Sequence, residues 1–233
     1  IPRCSNSFKA NFLLASTLQV EVNNTINDPK LAKRNARYLA DAEKCYSRAL
    51  EIYDRYPVAW NSRGFFLFMF KKETTTAISD FRRALALKPD YTEALYNLGF
   101  AFNQQKNYDS AIVYFDKAII SNPEYLKGYN EKGLVMLSSK DTSGFIDMQE
   151  TMKKKFPGSD FPYINLGNYF LELKDTAQTF VNWEEAARRN PDNQPLLLNL
   201  SNFYSRQGNQ EKSQYYMGLY RQSVQKQKKQ KRQ

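Results

Sequence analysis

The chain has 233 residues, 42% of them hydrophobic and 25% charged, which is an ordinary composition for a soluble folded protein. It contains no histidine. Because histidine is the commonest general base and metal ligand, its absence excludes histidine-dependent triads and zinc sites, and we expect no catalytic residue, metal or cofactor. The formal net charge of +10 does not indicate nucleic acid, because six basic residues cluster at the C-terminus: Arg221, Lys226, Lys228, Lys229, Lys231 and Arg232.

Residues 1–56 are predicted to form a divergent N-terminal helix pair. The segment from Asn6 to Leu18 has the pattern of a first helix, and Ala42, Tyr46 and Ala49 have the spacing of a second. An insertion near 22–36 is predicted to be a loop followed by an N-terminal extension of the second helix. Cys4 and Cys45 allow one disulfide, but we expect two free thiols.

From residue 57 onwards three classes of residue recur with one period. Prolines lie 34 residues apart, at positions 89, 123, 157 and 191. Helix-capping residues repeat with the same spacing, as do small residues: Asn107, Asp141, Asp175 and Asn209, and Gly99, Gly133, Gly167 and Ser201. Agreement of three classes over four periods predicts an array of structural repeats.

Each period is predicted to be a helical hairpin. Its first helix shows apolar residues at helical spacing, and so does its second: Leu95, Leu98, Gly99 and Phe102, then Ala111, Phe115 and Ala118. Asn107 is placed to cap the second helix, and Pro123 ends it because proline has no N–H to donate. Gly99 and Ala111 are small because the two helices approach closely there.

This pattern resembles the tetratricopeptide repeat, which implies an all-α, right-handed solenoid of stacked helical hairpins with a concave groove. The resemblance covers about residues 6–220, or about six repeats. The repeat at 57–90 has one extra residue in its turn, and the repeat at 125–158 is the most divergent. The five consecutive repeats are predicted at 57–90, 91–124, 125–158, 159–192 and 193–221.

In that family the groove is lined by the first helix of each repeat. The corresponding positions here predict an asparagine ladder that holds the backbone of an extended peptide: Asn61, Asn97, Asn130, Asn165 and Asn199, with Asn103, Asn168 and Asn202 further along their helices. The arrangement is similar to that in the repeats of O-GlcNAc transferase. The alternative is that asparagine is only a common soluble residue at this position of the family.

Phe65, Phe68 and Phe100 are predicted to form a pocket for a partner side chain in the groove, or else to pack against the N-terminal helix pair. A clamp for a C-terminal carboxylate does not fit, because Glu131 stands where that clamp has arginine. Arg63 and Lys132 occupy a position that usually holds leucine, and we expect their charges to reach water.

The segment 222–233 has no acidic residue and no apolar periodicity, so we predict a disordered basic tail. Weak contact with an anionic surface is the alternative. Binding of nucleic acid is not expected, because no aromatic residue interleaves these charges.

The segment CSNSFKANFLLASTLQVE more weakly resembles the junction at which repeats begin in bacterial membrane-embedded protein O-mannosyltransferase-like proteins; Asn6, Ser7 and Lys9 carry this likeness. It implies a piece of a longer, extracytoplasmic membrane protein, and the start at Ile1 without Met agrees with that interpretation. Two hypotheses follow: a scaffold that binds peptides or proteins, or an accessory domain that presents acceptor proteins to a glycosyltransferase.

Overall fold

The computed structural model describes residues 4–230, and within that range the chain is all α-helical. Consecutive helices are joined by short turns and stack in pairs. The helices are α1 (Phe8–Thr25), α2 (Ala32–Ile52), α3 (Pro57–Phe66), α4 (Thr74–Leu87), α5 (Thr92–Gln104), α6 (Tyr108–Ser121), α7 (Leu126–Ser138), α8 (Thr142–Lys155), α9 (Phe161–Glu172), α10 (Thr176–Arg189), α11 (Gln194–Arg206) and α12 (Gln210–Gln230). None of these helices combines the length and the apolar content that crossing a membrane requires.

The helices form two compact units, one ending at Val135 and the other beginning at Met136, within α7. In the first unit α1 packs on α2, α3 on α4 and α5 on α6. Its core is a continuous apolar cluster that includes the fully buried rings of Tyr46, Phe66, Phe81 and Phe115. In the second unit α9 packs on α10 and α11 on α12, around a separate cluster.

The small residues lie where paired helices come closest, as the sequence predicts. A Cβ atom added to Gly99 would lie 3.0 Å from the ring of Phe115 and 3.2 Å from the carbonyl oxygen of Ala111. At Gly167 the same addition would lie 2.2 Å from the ring of Trp183. These glycines therefore set the distance between the first and second helices of their pairs.

The turn inside each pair also recurs with the repeat. Asn107 accepts a hydrogen bond from the backbone N–H of Ser110 at 3.2 Å, which confirms the predicted cap of α6. The equivalent caps bond their own helices at 2.9 to 3.0 Å: Asp141, Asp175 and Asn209. The residue before each cap has a left-handed backbone, at Lys106, Lys140, Lys174 and Gly208.

The extra residue of the repeat at 57–90 lies partly in the helix rather than only in the turn. After α3 the chain continues as a π-helical segment, Leu67–Lys71. The N–H of Glu73 then bonds the carbonyl of Leu67, whereas Asn107 bonds Phe102, one residue closer in sequence. A π-helical turn accommodates an additional residue without ending the helix.

The insertion near 22–36 lengthens both helices of the N-terminal pair, so the predicted loop is much shorter than expected. α1 continues to Thr25, and only a short turn with a 3₁₀ segment, Pro29–Leu31, precedes α2. The buried side chain of Asn35 donates to the carbonyl oxygen of Thr25 at 3.0 Å and so closes this turn.

The prediction of two free thiols is wrong, because Cys4 and Cys45 form a disulfide. The segment before α1 lies against α2, so residues 41 positions apart in sequence become neighbours. Asn11 fixes that segment through two hydrogen bonds with the backbone of Ser5, at 2.6 and 2.9 Å.

The prediction of a disordered tail from residue 222 is also wrong for residues 222–230, because α12 continues to Gln230. The hydroxyl of Ser223 donates to the carbonyl oxygen of Asp192 at 3.2 Å, and Lys226 pairs with the Asp192 carboxylate. These contacts hold the helix where the sequence shows no apolar periodicity. The last three residues of the predicted tail lie outside the described range.

Candidate functional site

The first helices of the first compact unit place two predicted ladder residues side by side. The amide nitrogen Nδ2 of Asn97, on α5, donates to Oδ1 of Asn61, on α3, at 2.9 Å. Asn61 is buried, whereas Asn97 is partly exposed. We call the surface formed by α3, α5 and α7 as far as Val135 the first-helix surface of the first unit.

The structure separates the predicted ladder into two positions. Asn97, Asn165 and Asn199 each lie two residues before the small residue of their repeat, whereas Asn61 and Asn130 lie three residues before theirs. In the first unit these two positions meet across neighbouring helices, which is how Asn97 reaches Asn61. Of the predicted ladder residues in this unit, Asn61 and Asn97 therefore form a bonded pair.

Glu131 occupies the position of Asn97 in the next repeat, two residues before Gly133. Its carboxylate accepts a hydrogen bond from Asn130 at 3.1 Å. Burial raises the pKa of Glu131, and the bond from Asn130 offsets only part of that effect. In the sequence, Glu131 stands out only as a residue that excludes the carboxylate clamp.

Tyr96 lies close enough to Glu131 to feel its charge, and no signal in the sequence singles this tyrosine out. The ring of Tyr96 lies 5.4 Å from that of Tyr125 in an edge-to-face arrangement. The pKa of Tyr96 is raised, first by burial and then by the negative charge of Glu131. The phenol of Tyr96 therefore stays protonated beside Glu131.

The three predicted phenylalanines pack against the core of the first unit and are all partly exposed: Phe65, Phe68 and Phe100. The rings of Phe68 and Phe100 lie 5.7 Å apart, edge to face, and Tyr96 stacks beside Phe100 at 6.3 Å. Asn103, one turn beyond Phe100, is partly exposed.

The predicted residues of the second unit differ in accessibility. Asn165 is buried and donates to Oε1 of Gln149 at 3.1 Å, and Asn168 accepts from the indole N–H of Trp183 at 3.1 Å. Asn199 and Asn202 are exposed on α11. Asn168 is exposed despite its bond to Trp183, so of these four residues Asn165 alone is buried.

The expectation that Arg63 and Lys132 reach water is corrected. Arg63 binds Asp80 through two hydrogen bonds of 2.7 Å, and Asp80 is only 2% exposed. Lys132 binds Asp116 at 2.6 Å. In the first pair the carboxylate of Asp80 is buried and requires a cation, whereas in the second pair Lys132 is the more buried partner and Asp116 supplies its counter-charge.

A network of polar side chains joins three helices of the second unit. Glu184 on α10 accepts from Tyr204 at 2.6 Å and from Lys212 at 2.8 Å, and Tyr216 lies 3.4 Å away. Burial opposes ionisation of Glu184, but the bonds from Lys212 and the tyrosines outweigh it and lower its pKa. Among residues 4–230 no group of three histidine, cysteine or acidic residues is arranged to hold a metal ion.

Comparison with known proteins gives matches to repeat families and to repeat structures. Two family models match, one described as tetratricopeptide repeat over residues 92–125 and one described as TPR repeat over residues 67–106. The UDP-N-acetylglucosamine–peptide N-acetylglucosaminyltransferase of Giardia intestinalis is 29% identical over 98 residues. This match covers 42% of the chain, which spans only 7% of the length of that enzyme.

Solved structures share the fold at low sequence identity. PilF of Pseudomonas aeruginosa is 17% identical, with a TM-score of 0.61 over 96% of this chain and 99% of that one. PilW, a type IV pilus biogenesis factor, is 18% identical, with a TM-score of 0.61 over 86% and 90%. YrrB, a TPR protein with an unusual peptide-binding site, is 15% identical, with a TM-score of 0.50 over 76% and 91%. Residues 67–125 therefore match tetratricopeptide repeat models, and the helix pairs and caps recur with the same period along the chain.

Proposed function

We propose that the chain is a protein–protein interaction scaffold that binds extended peptide segments on its first-helix surfaces and performs no chemistry of its own. The single observation that supports this best is the partly exposed amide of Asn97, which its bond to Asn61 orients; the exposed Asn199 occupies the same position of its own repeat. The fold agrees with this function, since tetratricopeptide repeats are typically non-catalytic, and a peptide-binding site is described for the structurally similar YrrB.

Asparagine suits this task because its amide both donates and accepts. The bond from Asn97 to Asn61 uses the Nδ2 of Asn97 and leaves its carbonyl oxygen to accept from a peptide N–H. Asn199 and Asn202 are exposed one turn apart on α11 and face solvent in the same way.

Hydrogen bonds alone give weak binding. Four contacts at about 1 kcal/mol each amount to about 4 kcal/mol, or a dissociation constant of about 1 mM. Apolar contact must add to this, and the partly exposed rings of Phe68 and Phe100, which meet each other, provide it. We therefore expect the bound segment to carry a large apolar residue.

The test uses asparagine-to-alanine pairs in each unit. Asn97→Ala with Asn103→Ala alters the first unit, and Asn199→Ala with Asn202→Ala alters the second. Asn165 is left intact because its removal would take away the hydrogen bond that it donates to the buried side-chain oxygen of Gln149. Binding is measured to an immobilised positional-scanning library of nonapeptides.

Each pair should weaken binding about fivefold or more for every hydrogen bond to the peptide that it removes, without changing the helical circular dichroism. The matched control replaces Asn23 and Asn24, which are exposed on α1, by alanine. Binding that is as strong in both test variants as in the control would remove the asparagines from the proposed function.

A second candidate is an accessory domain of a membrane glycosyltransferase that presents acceptor proteins in an extracytoplasmic compartment. The disulfide Cys4–Cys45 favours an oxidising compartment, which agrees with an extracytoplasmic location. The gene sequence upstream of residue 1 tests this second candidate. Several apolar helices of ~20 residues would support this candidate, and a directly preceding start codon would contradict it.

A further inference from the structure

We propose that the first-helix surface of the first unit selects peptide segments that carry a lysine or arginine, and that Glu131 is the group that receives this cation. The inference rests on the proposed function, because it names the chemistry of the segment that this surface binds. It begins from a carboxylate that the fold buries in part and leaves without a counter-charge.

Within the described residues Glu131 forms no ion pair, and its bonded partner there is the neutral amide of Asn130. The neighbouring lysines of α7 do not pair with Glu131. Lys132 binds Asp116, and Lys127, one turn earlier on α7, is exposed and makes no ion pair with Glu131. By contrast, the buried carboxylate of Asp80 has Arg63 as its partner.

A partly buried acidic group without a cation is costly for a fold, because desolvation opposes its charge. Two other polar groups of this surface, the amides of Asn61 and Asn97, bond each other. A cation from a bound partner would compensate Glu131 in the way that Arg63 compensates Asp80.

The surroundings of Glu131 also suit a cation. Tyr96, whose pKa responds to the charge of Glu131, meets Tyr125 edge to face at 5.4 Å and stacks on Phe100 at 6.3 Å, so an aromatic cluster adjoins the carboxylate. The electron-rich faces of such rings attract ammonium and guanidinium groups. The charge of Glu93, at the start of α5, acts on Tyr125 and adds to the negative potential.

The negative potential at Glu131 and Glu93 is a local feature, since the chain as a whole has a formal net charge of +10. An acidic segment would meet two carboxylates, Glu93 and Glu131, and the repulsion would oppose its binding. A neutral segment would leave the carboxylate uncompensated. A basic side chain is therefore the one that this surface favours.

The experiment uses the full chain and two labelled probe nonapeptides of glycine and serine around a central phenylalanine. One probe carries lysine two residues from the phenylalanine, and the other carries norleucine there, which has a similar length without the charge. Binding to the intact protein is measured by fluorescence anisotropy, together with the positional-scanning library.

We expect the lysine probe to bind about tenfold more tightly than the norleucine probe, and this preference to weaken as ionic strength rises. Glu131→Gln should abolish the preference and still bind the norleucine probe. Glu131→Lys should shift library selection towards aspartate and glutamate. Glu172→Gln, which makes the same change at an exposed site on α9, should retain the preference for lysine.

The outcomes separate this inference from the proposed function. If the protein binds neither probe nor any library member, the proposed function fails. If it binds both probes equally, or if Glu131→Gln keeps the preference for lysine, only the role of Glu131 fails. Glu131→Gln should melt no lower than the unaltered protein, since it removes a partly buried charge, so loss of folding would not explain a lost preference.

Discussion

Lysine occupies an unusual backbone conformation in four of the turns between paired helices. Lys72, Lys106, Lys140 and Lys174 have φ values from 58° to 69°, in the left-handed region, and glycine takes the equivalent place at Gly208. The sequence predicts the capping residue that follows but offers no reason to expect lysine here, because only glycine adopts this conformation without a steric penalty.

At this residue scale we predict that Lys106→Gly stabilises the protein. Removing the side chain removes the contact between Cβ and the backbone that disfavours φ near 58°, and we expect the free energy of unfolding to rise by about 0.5–1 kcal/mol. Urea unfolding followed by circular dichroism measures the change.

Lys106→Ala is the matched control, because it removes the charge but keeps Cβ, and it should not stabilise the protein. The reverse substitution, Gly208→Lys, should destabilise it by about 1 kcal/mol. Equal gains from the glycine and alanine variants would show that the lysine charge, rather than the backbone conformation, carries the penalty.

At the scale of whole helices, the network at Glu184 ties α10, α11 and α12 together. Lys212 on α12 and Tyr204 on α11 both donate to the same carboxylate. The hydrophobic pattern locates each helix, but it does not show that three polar side chains meet. The network holds the start of α12, and the bonds of Ser223 and Lys226 to Asp192 explain why the helix stays packed beyond Tyr220.

Because the pKa of Glu184 is lowered in the folded state, the unfolded state binds its proton more readily. The stabilisation is therefore complete above the unfolded pKa of about 4.3 and is lost as the pH falls through the lower folded value. Glu184→Gln should lower the free energy of unfolding by about 1 kcal/mol at pH 7, since the network is partly exposed.

The measurement is urea unfolding of this variant and of the unaltered protein at pH 7 and near pH 3. The difference between the two proteins should shrink at the lower pH, where Glu184 itself takes up a proton on unfolding. The exposed substitution Glu172→Gln is the control. A difference that stays constant with pH would contradict the assignment of the stabilisation to the charged carboxylate.

At the scale of the whole molecule, most contacts lie between elements close in sequence, as expected for repeat proteins, whose stability is a sum of repeat and neighbour terms. The disulfide Cys4–Cys45 is an addition to that scheme, because it closes a loop of 41 residues around the N-terminal helix pair. It stabilises mainly by limiting the freedom of the unfolded chain.

We therefore predict that Cys4→Ser with Cys45→Ser lowers the free energy of unfolding by about 2–4 kcal/mol. Urea unfolding with and without a thiol reductant provides the test. Reductant should bring the unaltered protein to the stability of the double variant and leave the variant unchanged. If reductant changes neither protein, the cysteines are not paired.

The sequence by itself determined the repeat, the helix pairs, the caps and the small residues between helices, and each of these is a local property. Within one period, spacing fixes which side chains share a helix face, so Gly99 and Asn107 are read correctly from their neighbours. It also located the candidate surface, because the first helices are defined by the same periodicity.

Only the tertiary structure decided what these side chains meet. It paired Asn97 with Asn61, Arg63 with Asp80 and Cys4 with Cys45, it extended α12 to Gln230, and it left Glu131 without a cation among the described residues. Each of these outcomes depends on contacts between different helices or on segments outside the repeat pattern. The spacing of apolar residues predicts which face of a helix is buried, but the partner of a polar side chain depends on which residue of another helix packs against it.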